Sequence, residues 1–486
     1  MIGDAVVVGS GPNGLAAGIT LAQAGLDVEI HEAQPEPGGA ARSMQLTLPG
    51  FLHDFGSAVY PFAVSSPFFS KLNLNLLGLR WIHPDAPLAH PLDDGTAVMQ
   101  ERDLAATAGN LEGADKAAWR ELFQPLVDDW AGLMDDLLRP LFHLPRHPIE
   151  MGRFGIHALQ PALLLARTKF RGERARALFG GLAAHSIRKL ESPLTSAFGL
   201  MLGASAHAVG WPIAAGGGQS ITNALIAVFK NLGGRIITNS RVSALSDLDR
   251  RDLTLCDVSP RQFLQIAAKE LDGRPFADLM RQYKYGPGAY KMDWALREPI
   301  PWRAKECLRA GTVHLGGTLD EIAASERGAM DGHPPAKPFV LLSQPSLFDP
   351  TRAPLGQHTA WAYCHVPNGW PHSVENQIEA QIERFAPGFR ECILARHCSS
   401  PLDLERCDEN LIGGDVNCGT ANINQFVFRP TWRLYGTPLK GVYFCSSATP
   451  PGGGVHGMCG YNAANAALRW MHARGKTVRR KQGRVP

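Results

Sequence analysis

Gly9, Gly11 and Gly14 are spaced so that a backbone turn can close on a diphosphate. Gly9 permits a tight turn out of a strand. Gly11 has no side chain, so the chain can approach phosphate oxygens, and Gly14 lets a helix pack closely on a sheet. Pro12 and Asn13 fall at the start of that helix, where unpaired N–H groups and the positive dipole end attract anions. Glu32 follows Gly14 by 18 residues, near the spacing of a carboxylate that accepts from ribose hydroxyls and repels a 2′-phosphate. Taken alone, such glycines also fit an ordinary loop. The surrounding order decides for a dinucleotide: an apolar run Val6–Val8, a helical pattern through Leu15, Ile19 and Ala22, Gly25 as a stop, and a strand Val28–His31 that ends at the acid.

A second glycine stretch follows the acid, Pro37-Gly38-Gly39-Ala40-Ala41-Arg42. Gly38, Gly39 and Ala40 let more backbone approach a cofactor, and Arg42 offers a planar donor fork for phosphate. This pair of stretches points to FAD rather than NAD. Later in the chain, His185 and His207 lie in charge-poor surroundings where burial would lower their pKa. Each is a candidate polar group near a flavin or a satisfied core histidine. Trp211 reads as packing, and Asp293 as a strand-end ion pair or a functional acid. No Ser/His/Asp order and no metal-ligand spacing stands out.

The elements that must position these residues come from a chain of 486 residues, long enough for two or three domains. Its 45% hydrophobic and 19% charged content fits a globular protein, and a net charge of +3 does not imply nucleic acid. Six cations, Arg474, Lys476, Arg479, Arg480, Lys481 and Arg484, crowd the last thirteen residues, as a solvated tail or a contact for anionic lipid. The nine cysteines are odd in number and form no C-x-x-C, which fits reduced thiols in the cytoplasm and argues against a dithiol reductase. The first strand begins by Ala5, leaving no room for a usual signal peptide, and no apolar run is long enough to span a bilayer.

Along the chain, Gln45–Tyr60 reads as a strand or bend and Leu92–Thr96 as a hairpin turn. From Leu104 to about Leu202 the pattern is helical, for example over Trp119–Leu138 and Ala158–Lys169, and Pro140, Pro145, Pro148 and Pro161 break the region into short helices. The apolar, arginine-bearing stretch Leu137–Phe170 is either a cap buried in the chain or an amphipathic face for a membrane surface. Ile221–Leu232 reads as a helix, and strands are expected at Arg235–Thr238 and Leu253–Cys256. Further strands are expected at Tyr290–Leu296, Phe339–Leu342 and His358–Tyr363. Val442–Cys445 is a last strand before a glycine loop and a helix from about His456 to His472. That loop lacks the dinucleotide spacing, which argues against a second, NAD(P)H-binding domain.

The runs GSGPNGLAAGITLAQAG, EPGGAARS, FLHDFGS, SAHAVGWPIAAGGGQS, YGPGAYKMDWAL, ERFAPGF and CSSATPPGGGVHGMCGYNAA resemble the phytoene desaturase-like FAD-dependent oxidoreductases. The similarity spans nearly the whole chain and looks greatest to the branch named phytoene dehydrogenase-related or pyridine nucleotide-disulfide oxidoreductase domain-containing. It implies an α/β fold: a Rossmann-like FAD-binding domain of glutathione reductase type with a discontinuous α+β substrate domain. The first would take residues 1–75, 213–259 and 411–475, the second 76–212 and 260–410, with 476–486 a basic tail. The resemblance places Gly9, Gly11 and Gly14 at the diphosphate, Glu32 at the ribose, Gly39 and Arg42 near the diphosphate and ribityl chain, and Val242 at the adenine. Ser446 and Ser447 stand where many relatives have a Gly-Asp pair, so the ribityl acid is absent here. Gly453, Gly454, Val455 and His456 would lie under the flavin pyrimidine, where a helix N-terminus stabilises negative charge on the reduced ring. His456 would add to that, or simply bond to backbone.

The implied activity is FAD-dependent oxidation or reduction of a C–C bond in an apolar isoprenoid or polyene substrate, by hydride transfer to flavin N5. The alternatives are a flavin amine or alcohol oxidase and a non-catalytic FAD-binding scaffold. Oxygen or a quinone would reoxidise the flavin, and a quinone would require a peripheral membrane contact.

Overall fold

The structure, a computed structural model, describes residues 4–140, 144–249 and 251–474. The expected basic tail, 476–486, lies outside the described residues.

The strand β1 (Asp4–Val8) is apolar and buried, as a central strand covered on both faces must be. It pairs in parallel with β2 (Asp27–His31) on one side and with Leu253–Cys256 on the other. Arg235–Ile237 and Val442–Phe444 extend this sheet at its two edges, all five strands parallel. The helix α1 (Pro12–Gln23) crosses the helix Met458–His472 so closely that a Cβ on Gly460 would stand 1.8 Å from the Asn13 carbonyl oxygen. The two ends of the chain therefore meet over the glycine turn.

A second sheet has seven strands, in the order Ile393–Ser399, Gly288–Leu296, His358–Val366, Val340–Ser343, Ala310–Leu315, Ala86–Pro91 and Ala97–Gln100. It is antiparallel except where Ala310–Leu315 runs parallel to Ala86–Pro91. Side chains alternate across it with period two. Tyr290, Met292, Trp294, Ala362 and Leu342 face a core completed by Ile378 and Ile382 of the helix Glu375–Phe385. The opposite face carries Lys291, Asp293, Trp361, Tyr363, Thr312 and Ser343. Two rows cross it by strand register, Lys291–Tyr363–Leu341–His314 and Asp293–Trp361–Ser343–Thr312.

The helical region is a series of short helices, broken at Pro161 and also at Asp129, where no proline stands. Trp119–Leu138 is not one helix but parts of Asp115–Asp128 and Trp130–Leu137, divided at Asp129. Ala158–Lys169 is divided too, into the end of Pro148–Ala158 and the helix Ala162–Lys169. Pro161 is the cause: it disfavours helical geometry in the residue before it and donates no N–H. Among the described residues no helix is long and apolar enough to cross a membrane.

Candidate functional site

A cavity of about 390 Å³ runs along the glycine turn. Gly9, Gly11, Pro12, Asn13, Glu32, Gly39, Ala40, Arg42, Val242, Ser446 and Ser447 all line it. The turn needs Gly9 because its φ is +97°, and a Cβ on Gly39 would stand 3.2 Å from Gly11 Cα, so the two glycine stretches press together. Glu32 is locked in place. Its Oε2 accepts from Ser10 N at 3.0 Å and Ser10 Oγ at 2.5 Å, and its Oε1 from Gln34 N at 2.9 Å. Arg42 donates from Nε to the Gly39 carbonyl and from an Nη to the Cys407 carbonyl, with its guanidinium 5.1 Å from the Phe55 ring centroid. Ser447 Oγ accepts from Asn13 Nδ2, while Ser446 Oγ donates to the Val258 carbonyl. Asn13 Oδ1 is buried without a partner.

Six of the expected cofactor residues sit elsewhere: Gly453, Gly454 and His456 line the two cavities described below, and Gly14, Gly38 and Val455 line none of the three. Gly14 gives its N–H to Asp257 Oδ2 at 2.7 Å. Gly38 leaves room for Arg42, whose Cγ would stand 2.9 Å from a Cβ there. Val455 packs against the main core.

Asp257 went unnoticed in the sequence, although an acid directly after a parallel strand stands where open α/β sheets bind ligands. Burial pushes its carboxyl up to about 7, and the charges of Asp408 and Glu32 push the same way, against the Gly14 hydrogen bond. A raised carboxyl pKa favours the fold in its protonated form. That contribution is complete below the unfolded carboxylate value and is lost as pH rises through about 7. Asp257→Asn keeps an acceptor for the Gly14 N–H and removes the titration. The melting temperature of the wild type is therefore expected to fall relative to Asp257→Asn between about pH 4 and 7 and to level off above. Thermal melts of both proteins across that range check it, and parallel curves would refute it.

A second cavity, about 520 Å³, lies between the helices Pro148–Ala158 and Thr195–Ala208 and the segments 417–429 and 450–456. Its wall is mostly apolar, with Phe62, Met151, Phe154, Leu159, Phe198 and Met201. A third, about 250 Å³, lies under the polar face of the seven-stranded sheet and reaches Ala40, Gly56 and Gly454. Asn417 lines both, and the neighbours Gly453 and Gly454 line one each. Among the described residues no Asp or Glu lines either cavity.

The three histidines part company here. His456 lines the apolar cavity, but its Nδ1 accepts from Met458 N at 3.0 Å and burial lowers its pKa to about 4. It is thus a neutral ring at the helix start, not an added positive charge. His185 lines the third cavity, its Nε2 3.0 Å from His314 Nε2, and burial holds it near 3. Trp211 meets its ring edge-on at 5.8 Å. His207 lines none of the three cavities. Trp119 Nε1 donates to its Nε2, its Nδ1 faces the Arg102 carbonyl, and Trp119 and Phe123 pack against it as a core histidine.

Lys291 escaped sequence reasoning. It is 3% exposed, lines the third cavity and forms an ion pair with Asp293, two residues along the same strand face. Asp293 is therefore paired within its strand rather than at a strand end. Burial lowers Lys291 and raises Asp293, and each partner's charge opposes the other's shift. The signal for it was two charges with period two inside an apolar run. Thr312 and Trp361 also line this cavity, and Thr312 Oγ1 and Trp361 Nε1 are buried without partners.

Residues 7–72 match a family model described as an NAD(P)-binding Rossmann-like domain. The chain is 27% identical to pyridine nucleotide-disulfide oxidoreductase domain-containing protein 2 of Mus musculus, over 96% of this chain and 93% of that protein. It is 32% identical to hydroxyneurosporene desaturase of Cereibacter sphaeroides over 37% of this chain and 38% of the other. In fold it is similar to cyclohexylamine oxidase from Brevibacterium oxydans, with a TM-score of 0.59 and 14% identity, covering 97% of this chain and 100% of that one. The unpartnered Asn13 oxygen, the paired glycine turns and the fixed Glu32 suit an adenine dinucleotide, and the cofactor is FAD. That geometry and those relatives fit the resemblance to the phytoene desaturase-like FAD-dependent oxidoreductases.

Proposed function

We propose that this oxidoreductase acts on a C–C bond of an apolar, isoprenoid or polyene substrate. The observation that carries the reading is the apolar cavity that ends at Asn417 and the Gly453–Gly454 turn with no carboxylate on its wall. A long hydrocarbon gains by burial there, at about 25 cal/mol per Å² removed from water. An ammonium substrate finds no counter-charge and meets Lys291 instead.

Glu32 would hold the adenosine ribose, the Gly9–Gly14 turn and Arg42 the diphosphate, and the 453–456 turn the flavin pyrimidine. When bound, FAD supplies a hydride acceptor. The protein supplies orientation and a dry site. The helices Pro148–Ala158 and Thr195–Ala208 keep water from the chain of the substrate. The neutral imidazole of His185 faces the third cavity and is the group at hand for the proton lost from the neighbouring carbon. His185→Phe is expected to lower turnover by about 10²–10⁴-fold while the bound flavin and its absorbance stay unchanged. Equal turnover in the two proteins would remove His185 from the chemistry.

The reading as a whole is tested by anaerobic mixing of the purified yellow protein with a polyene and, separately, with a primary amine. Bleaching of the flavin by the polyene alone supports it. Bleaching by the amine alone overturns it in favour of an amine oxidase, the activity named for the cyclohexylamine oxidase of like fold.

A further inference from the structure

Three lysine or arginine side chains line the two cavities that share Asn417: Arg139 and Arg429 on the apolar one and Lys291 on the other. Two of them are neutralised. Lys291 pairs with Asp293, and an Arg139 Nη lies 2.7 Å from Asp135 Oδ1. Among the described residues no carboxylate stands within ion-pair distance of Arg429.

Arg429 is also buried, at 6% exposure. Its Nη2 donates to the carbonyls of Asn417, Cys418 and Gly419 at 2.9, 3.0 and 3.3 Å. Its Nε is buried without a partner. Its Nη1 lies 3.1 Å from where a Cβ on Gly452 would stand, so the glycine leaves that side open. The Tyr283 hydroxyl beside the guanidinium donates to the Cys418 carbonyl. Asp415 acts on Arg429 by charge at longer range, but both its oxygens are taken by the N–H groups of Gly286, Asn417 and Gly419. A buried cation without a paired anion is costly, and carbonyl dipoles offset only part of that cost. The remainder favours an anion that arrives with the ligand. Asn417 adds a second donor: its side-chain amide is half-buried and makes no hydrogen bond among the described residues.

We propose that Arg429, with the Asn417 amide, binds the carboxylate of an amphipathic acid whose apolar chain fills the 520 Å³ cavity. Phe198, Phe154 and Met151 give that chain an apolar wall. An alcohol with the same chain gains the same burial but leaves the guanidinium without its anion. A carboxylate adds a charge-assisted hydrogen bond, roughly twice as strong as a neutral one. A diphosphate would bring more negative charge than one guanidinium can answer. The site stands on this geometry; that its occupant is an isoprenoid or polyene acid, and is oxidised there, rests on the proposed function.

The test is titration calorimetry of the flavin-loaded full chain at about pH 8, where a carboxylic acid is ionised. The probes share one chain: geranylgeranoic acid, geranylgeraniol and geranylgeranyl diphosphate. The wild type is expected to bind the acid at least about tenfold tighter than the alcohol, and tighter than the diphosphate. Arg429→Gln keeps an amide donor for the 417–419 carbonyls. It should bind the alcohol as before and lose the preference for the acid, with unchanged flavin absorbance. Arg429→Lys keeps the charge and should keep the preference, which decides the matter if the glutamine variant does not fold. Arg139→Gln should keep it too, because Arg139 already has Asp135. Equal binding of acid and alcohol by the wild type would overturn the proposal. So would a preference that survives Arg429→Gln, one that is lost in Arg429→Lys or Arg139→Gln, or a diphosphate that binds tightest. Loss or altered absorbance of the flavin in Arg429→Gln would instead assign the guanidinium to the cofactor. Calorimetry reads binding without turnover, which separates the two readings. An acid held by Arg429 that leaves the flavin oxidised under anaerobic conditions would sink the C–C reading and spare the site. A polyene that bleaches the flavin, beside equal affinities for acid and alcohol, would do the opposite.

Discussion

Gly14→Ala protein is expected to purify with little or no flavin. A Cβ at this position would stand 2.1 Å from the Gly9 carbonyl oxygen and 3.0 Å from Asp257 Oδ2. The nearer atom is backbone, inside the turn itself, so no side chain can swing away to make room. The loop must open or the helix α1 must lift from β1, and both movements spoil the wall of the first cavity. Overpacking of this kind costs about 1–3 kcal/mol, which taken from cofactor binding is about a 5- to 160-fold loss in affinity. Gly11→Ala offers the graded comparison. Among protein atoms its Cβ would meet the end of the Asp257 side chain, at 3.0 Å, and no backbone. The ratio of flavin to protein absorbance should therefore rank wild type above Gly11→Ala and Gly11→Ala above Gly14→Ala. The reverse order would mean that the turn does not shape the cofactor site.

The second large effect is expected at Lys291→Met. Lys291 and Asp293 are 3% and 0% exposed, so removing the cation leaves a buried carboxylate beside His53, 3.6 Å from its Oδ1. Breaking one side of a buried pair costs about 3–5 kcal/mol. Burial already raises the Asp293 pKa, and Lys291 is the largest influence opposing that rise. Without Lys291 the carboxyl rises further, and its protonated form then favours the fold. The variant's stability is accordingly expected to fall as pH rises above the ordinary carboxylate range. Lys291→Met/Asp293→Asn, which removes both charges, should recover most of the lost stability and flatten that pH dependence. Melting temperatures of the wild type, Lys291→Met, Asp293→Asn and the double variant as a function of pH measure it, and additive losses in the double variant would show that the pair is not coupled. Because Lys291 also lines the third cavity, the single variant should shift the visible absorbance of the bound flavin as well.

Local order carried much of this protein's plan. The β1–α1–β2 unit is legible in the amino-acid sequence because every requirement lies within a few turns of chain: an apolar strand, glycines where backbone must approach, a helix, and an acid at the end of the next strand. The strands at Leu253–Cys256, Gly288–Leu296, His358–Val366 and Val442–Phe444 are legible for a similar reason, each being an apolar run of suitable length. Helix lengths are less so: Pro161 marks one break, but periodicity continues through Asp129 while the helices do not.

What tertiary structure alone decided was which distant side chains share a space. Lys291, Thr312 and Trp361 come from three strands of one sheet, and only register puts them on one face above Ala40 and Gly454. His185 and His207 look alike in sequence, each a histidine among small apolar residues, yet helix packing turns one to a cavity and the other to Trp119. Asp257 gained its role because folding brings it against Gly14, 243 residues away, where burial and two neighbouring acids raise its pKa. Spacing along the chain specifies what a segment can form. Long-range packing removes the water, and that removal settles which of the polar groups become reactive.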